Sequence, residues 1–159
     1  MRNKLASLMR RVAFLEKISS LIQGLQGADF TYQDLSNKNF SSADLTGTDF
    51  SRATLEKTRF VGSVIENARF MGSDLLNADL SNTLATQKVD FSQSTLLKTK
   101  FTGAKLKEAN FFSAYLEATN LNNVELEGAD FSIASLRSMK VDSPTFKESS
   151  FRARICSLE

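Results

Sequence analysis

The chain has no histidine and no tryptophan, and only one cysteine and one proline in 159 residues. Without histidine, the usual general base and the commonest imidazole metal ligand are missing. Cys156 therefore has no histidine to activate it, and as the sole cysteine it can form no intrachain disulfide, which fits a reducing compartment. No apolar run approaches the roughly 18 residues of a membrane span. The apolar residues of the N-terminus are interrupted by Arg10, Arg11, Glu16 and Lys17, so it offers no clean secretory signal. These features predict a cytoplasmic chain. The glycines stand singly, so no phosphate-binding loop is formed, and no segment has the ligand spacing of a calcium loop. The aspartates recur every five or ten residues, as repeat residues do, rather than as a catalytic pair. The reading is therefore of no enzyme, no cofactor and no metal.

Charge of one sign is also scarce. The net charge is +2, and residues 1–26 carry Arg2, Lys4, Arg10, Arg11 and Lys17 against Glu16, which leaves the remainder at −2. No strong electrostatic footprint for nucleic acid results, and direct nucleic-acid binding is not expected.

What is abundant is phenylalanine, 13 residues of it. Starting at Phe30, every fifth residue is large and apolar: Phe30, Leu35, Phe40, Leu45, Phe50, Leu55, Phe60, Ile65, Phe70, Leu75 and Leu80. The phase slips by one residue and resumes at Phe91, running through Leu96, Phe101, Leu106, Phe111, Leu116, Leu121, Leu126, Phe131, Leu136, Val141, Phe146 and Phe151. Neither a helix nor a plain strand has this period. Two residues before most of these centres stands a small residue such as Ala43, Ala68, Ala78, Ala109 or Ala129, so a large and a small side chain share the inward face of a short extended segment. The residue between them points out and is often Asp or Asn. Two residues after the centre, Gly27, Gly47, Gly62, Gly72, Gly103, Gly128 and several asparagines supply the positive φ of a type II turn.

A turn every five residues closes a four-sided coil in 20 residues, and about 6.5 coils stacked at about 4.8 Å make a rod of roughly 30 Å. Folding the lattice at this period sorts it into columns. One side collects Phe30, Phe50, Phe70, Phe91, Phe111, Phe131 and Phe151; the next collects Leu35, Leu55, Leu75, Leu96, Leu116 and Leu136. Both columns are expected in the core. The slip falls within 81–90 and predicts a bulge or small loop on the fourth side.

The motifs Ala28-Asp29-Phe30, Ala43-Asp44-Leu45, Ala78-Asp79-Leu80, Ala109-Asn110-Phe111 and Ala129-Asp130-Phe131 resemble the pentapeptide-repeat family. The resemblance covers about four-fifths of the chain. It implies a mainly β fold, a right-handed quadrilateral β-helix over 27–156, of a kind common in bacteria and abundant in cyanobacteria. It implies no single function. Residues 1–26 are expected to form an amphipathic cap, helical over 2–23, because Leu5, Leu8, Val12, Leu15, Ile18 and Ile22 follow helical spacing and a solenoid needs its apolar end covered.

The outer surface remains for function. Met71, Leu76, Leu97, Phe112, Tyr115 and Ile133 are apolar where outward residues are mostly polar, and they gather around the edge between the Phe and Leu sides. This points to a non-enzymatic structural or protein–protein interaction module with a protein partner or self-association. Two alternatives stand beside it. One is a DNA mimic acting on a type II topoisomerase, as in family members of the quinolone-resistance type, though residues 83–159 carry 10 basic against 9 acidic residues. The other is a secreted effector or membrane-surface regulator working through Arg2, Lys4, Arg10 and Arg11.

Overall fold

The computed structural model describes residues 24–142 and 146–151. They wind as a right-handed, four-sided parallel β-helix. Each outward residue beside a centre bridges in parallel to its equivalent one coil on, as in Asp29 to Asp49, Asp34 to Thr54, Asn39 to Arg59 and Asp44 to Val64. The ladder is made on both flanks of that residue: Phe30 N–H donates to Asp49 O at 2.8 Å, and Asp49 N–H to Ala28 O at 2.9 Å. Among the described residues, only β1 (Leu84–Ala85) and β2 (Lys105–Leu106) extend beyond one bridge, and they pair in parallel.

The corners repeat one geometry. The N–H three residues after a centre donates back to that centre's carbonyl, for example Gln33 to Phe30 at 3.2 Å and Ala53 to Phe50 at 3.0 Å. The residue before that donor has positive φ, from Gly27 at 64° to Glu148 at 62°. The conformation does not depend on Gly or Asn, since Tyr32, Arg52, Lys57, Gln93, Lys98 and Ile133 adopt it as well. Ladder bonds across the stack hold these residues there against their local preference.

Inside, the Phe column is a continuous stack, with ring centroids 4.8 to 5.3 Å apart and planes within 17° of parallel. Rings of the third side meet it edge-on, such as Phe60 against Phe70 at 5.6 Å and 89° and Phe91 against Phe101 at 5.5 Å and 81°. Aromatic pairs favour both arrangements. Opposite walls therefore touch, and the interior holds no channel. Most hydroxyls at small inward positions are satisfied by backbone carbonyls, as where Thr99 donates to Leu75 O at 2.8 Å and Ser94 to Phe91 O at 2.6 Å, while the buried Ser63 Oγ has no partner among the described residues.

Burial is graded along the rod. Phe50, Phe70, Phe91, Phe111, Leu55, Leu75, Leu96 and Leu116 are wholly buried, and Phe131 nearly so. Phe30 and Leu35 at one end and Leu136 at the other are half-buried. Phe151 departs from the core assignment. Its ring stacks on Phe131 at 5.2 Å, but no described coil covers its other face and it is 44% exposed.

The bridge register locates the irregularity. Val64 pairs with Leu84, 20 residues on, but Arg69 pairs with Asp90, 21 residues on. The extra residue thus lies between Ala85 and Asp90, at the corner where the fourth side meets the Phe side. There Ala85 takes the centre held elsewhere by Ile65 and Leu106, and Val89 takes the small position, so the sizes are exchanged. The Glu66 carboxylate clamps the bulge: it accepts from Thr86 N–H at 2.9 Å, Thr86 Oγ1 at 2.7 Å and Gln87 N–H at 2.7 Å. Partial burial pushes the Glu66 pKa up, but the bonds from Thr86 and Gln87 outweigh it and hold the carboxyl below its ordinary value. A depressed carboxyl pKa contributes stability above its unfolded value and loses it as pH falls through the folded one. Glu66→Gln should therefore lower stability by about 1–2 kcal/mol at neutral pH. Denaturant melts should show that difference vanishing as pH drops below the carboxylate range.

The helix expected over 2–23, its basic residues Arg2, Lys4, Arg10 and Arg11, and Cys156 lie outside the described residues.

Candidate functional site

The outward acidic residues serve the corners. Asp29 Oδ1 accepts from Thr31 N–H at 2.9 Å, Asp49 from Ser51 at 2.8 Å, Asp90 from Ser92 at 2.9 Å and Asp130 from Ser132 at 2.9 Å. Asn39, Asn110 and Asn120 make the same bond to the residue two ahead. This side chain supplies an acceptor that a tight corner otherwise leaves out. Hydrogen bonding from Thr31, Ser36, Thr46 and Ser132 holds the carboxyls of Asp29, Asp34, Asp44 and Asp130 below their ordinary values. Among the described residues, no three of Cys, Asp or Glu converge as a metal site would require.

The six apolar surface residues flank one face. Met71, Phe112 and Ile133 stand at the corner between the Phe and Leu sides, with Ser92 between Met71 and Phe112. Leu76 and Leu97 form a second ridge, at the far corner of the Leu side, where Asn77 N–H donates to Leu97 O at 3.0 Å. Tyr115 projects from the column between them, bridged to Thr95 and Ser135. Phe112 is 40% exposed, Tyr115 59% and Ile133 48%, whereas Met71, Leu76 and Leu97 are half-buried.

Beyond the Phe-side corner lies an open depression of about 450 Å³ beneath the bulge, lined by Lys88, Glu108, Asn110, Phe112, Gly128 and Asp130. Lys88 and Glu108 carry no motif of their own; the one-residue slip that displaces Lys88 was their only sequence signal.

The family model for pentapeptide repeats matches residues 25–62, 48–84, 87–111 and 109–141, in eight copies. The chain belongs to the pentapeptide-repeat family. Among solved structures, this pentapeptide-repeat protein is similar to one from the Arabidopsis thaliana thylakoid lumen, at 30% identity and a TM-score of 0.51 over 66% of each chain. It is also similar to Rfr23 of the cyanobacterium Cyanothece 51142, at 20% identity and a TM-score of 0.34 over 79% of this chain and 88% of that one. A third is QnrB1, a plasmid-mediated fluoroquinolone resistance protein, at 14% identity and a TM-score of 0.43 over 80% and 78%. No curated protein matches the chain. No helix among the described residues is long and apolar enough to cross a membrane.

Proposed function

We propose that this pentapeptide-repeat protein is a non-enzymatic interaction module whose protein partner docks across the Leu side, between its two apolar corners. Ile133 carries the reading. A β-branched residue at φ 52° is the poorest choice for a corner that Gly and Asn fill elsewhere, and the left-handed conformation costs about 1–2 kcal/mol. The residue is also half exposed, so burial within the chain does not repay that cost. Strain kept at an exposed apolar position beside Phe112 and Tyr115 is the pattern of a contact surface. The flat parallel face holds these side chains rigidly, which lowers the entropic cost of docking. Exposed cations on the third side, Arg59, Lys100 and Lys140, weigh against a uniformly anionic mimic of duplex DNA.

The test is capture from the source cell's lysate on immobilised protein, with identification by mass spectrometry. Replacing both Phe112 and Leu97 by Ser should abolish the captured partner while leaving the melting transition in place. Ile133→Gly should weaken capture yet raise stability by about 1 kcal/mol, because glycine relieves the strained corner. A captured set unchanged in every variant would refute the assignment. A partner lost only on removal of residues 1–26 would move the function to the basic segment.

A further inference from the structure

Two opposite sides of the rod carry charge columns that are inverses of each other. Along the Phe side the bridged outward residues run Asp29, Asp49, Arg69, Asp90, Asn110, Asp130, Ser150. Along the third side, level by level, they run Asn39, Arg59, Asp79, Lys100, Asn120, Lys140. From Asp49 to Asp130 every anion on one side has a cation at the same level on the other, the one cation faces an anion, and the neutral level is asparagine in both; at the first level Asp29 faces Asn39.

Alternation within a column has a local cause, since stacked unlike charges attract, as Arg69 does Asp49 at 3.7 Å. That cause fixes nothing about the phase of one column relative to the other, because the two lie on opposite walls with the aromatic core between them. The columns can meet only between two molecules. Their side chains suit such a meeting. Arg59, Lys100 and Lys140 are exposed and make no ion pair among the described residues. The carboxylates of Asp49, Asp90 and Asp130 are half-buried and held flush by their corner hydrogen bonds.

We infer that copies of this protein associate side by side, parallel and in register, with the Phe side of one against the third side of the next. This deepens the reading of the chain as an interaction module by naming a second copy as one partner; it rests on that reading, and leaves the Tyr115 column of each Leu side facing the same way while the corners are shared with the row. The register is selective. In step, Asp49 meets Arg59, Arg69 meets Asp79, Asp90 meets Lys100 and Asp130 meets Lys140, and no like charges meet. One coil out of step sets Arg69 against Arg59 and Asp90 against Asp79, or else Arg69 against Lys100 and Asp49 against Asp79. An antiparallel approach centred on Asp90 and Lys100 also opposes no like charges, pairing Asp49 with Lys140 and Asp130 with Arg59, so charge selects the level and the corners select the direction.

The corners agree with the in-step arrangement. A sideways translation brings the Leu-side corner that carries Met71 against the neighbour's far corner, where Leu76 stands at the same level. Arg52 likewise comes level with Glu56. The bulge corner, with Lys88, comes opposite the small residues Thr102 and Gly103. Because two different sides of one molecule meet, the contact is heterologous and grows into an open row rather than closing as a dimer. A face about 30 Å long and one strand segment wide buries less than the roughly 1,200 Å² of a standard interface, so each contact is weak and cooperates only along a row.

Sedimentation velocity on the full chain over rising concentration, at about 10 mM and about 1 M ionic strength, tests this. Association is expected at low salt and should be lost at high salt. A variant with Arg59→Glu and Lys100→Glu has two anionic sides, and one with Asp49→Lys and Asp90→Lys has two cationic sides; Arg69 shows that this second column accepts a basic residue. Each variant alone should weaken association at least tenfold, and an equimolar mixture should restore it by alternation. The protein alone is used, so failure here leaves the Leu-side docking reading standing. A native chain that stays monomeric at low salt overturns the inference. So does association that survives in each variant alone, or a mixture that fails to recover it while both variants keep the native circular dichroism spectrum.

Discussion

Phe91→Ala should destabilise the protein by about 3–5 kcal/mol, the largest loss expected from a single truncation here. The ring is wholly buried, stacked between Phe70 at 4.9 Å and Phe111 at 5.2 Å, with Phe101 edge-on at 5.5 Å. The transfer free energy of the ring is only part of the cost. The rest arises because the void cannot close. The neighbouring coils are tied at the ladder spacing, with Phe70 N–H donating to Asp90 O and Phe91 N–H to Asn110 O at 2.8 Å. Phe70 and Phe111 therefore cannot collapse onto each other without breaking those bonds, and the cavity persists. A denaturant melt checks the value. A loss below about 1 kcal/mol would contradict the inward stack. The same change at Phe151, which is 44% exposed, should cost clearly less, because one of its ring faces is already open.

Ala109→Leu should cost about 1–3 kcal/mol through overpacking. Ala109 is wholly buried and shares its inward segment with Phe111, whose ring is confined by Phe91, Phe131 and Phe101. A leucine adds three carbons at this closed position and has to displace the ring or the wall, and Asp130 N–H donates to Ala109 O at 2.9 Å, which resists backbone movement. Val89 holds the equivalent position one coil earlier. It is tolerated there because the preceding centre is Ala85 rather than a leucine or isoleucine, so the coil carries its bulk at the other inward position. The contrast gives the measurement its discriminating power. In the same denaturant melts, Val89→Ala should lose stability by leaving a cavity, and Ala109→Leu should lose it by crowding. A silent Ala109→Leu would mean that the small position has spare room.

Much of the fold was legible because the repeat is short and its chemistry recurs. A spacing of five with alternating inward positions leaves few ways to bury a Phe and a Leu on successive sides. The columns from Phe50 to Phe131 and from Leu55 to Leu116 are the direct consequence. The ends were less legible. Phe151 and Leu136 have the pattern of core residues, but burial depends on having a coil on both sides. The corners were misleading in a different way. Tyr32, Arg52 and Ile133 have no local preference for positive φ, and only the ladder bonds of adjacent coils hold them there. The apolar surface residues were identifiable one by one as breaks in a polar pattern. Their division between two corners of one side required the register, and so did the meeting of Lys88 with Asn110 and Asp130 beneath the bulge.

The sequence by itself determined the period, the four-sided coil, the identity of the inward columns and the segment holding the irregularity. All follow from the cost of exposing large apolar side chains and from alternation along extended chain. Only the tertiary structure decided what lies level with what. The slip at 85–90 resets the register from 20 to 21 residues for one coil, and this stacks Asp90 on Arg69 and Lys100 on Asp79 within their columns. Charge on an exposed column costs the isolated chain little in either phase. The proposed association of rods uses that freedom.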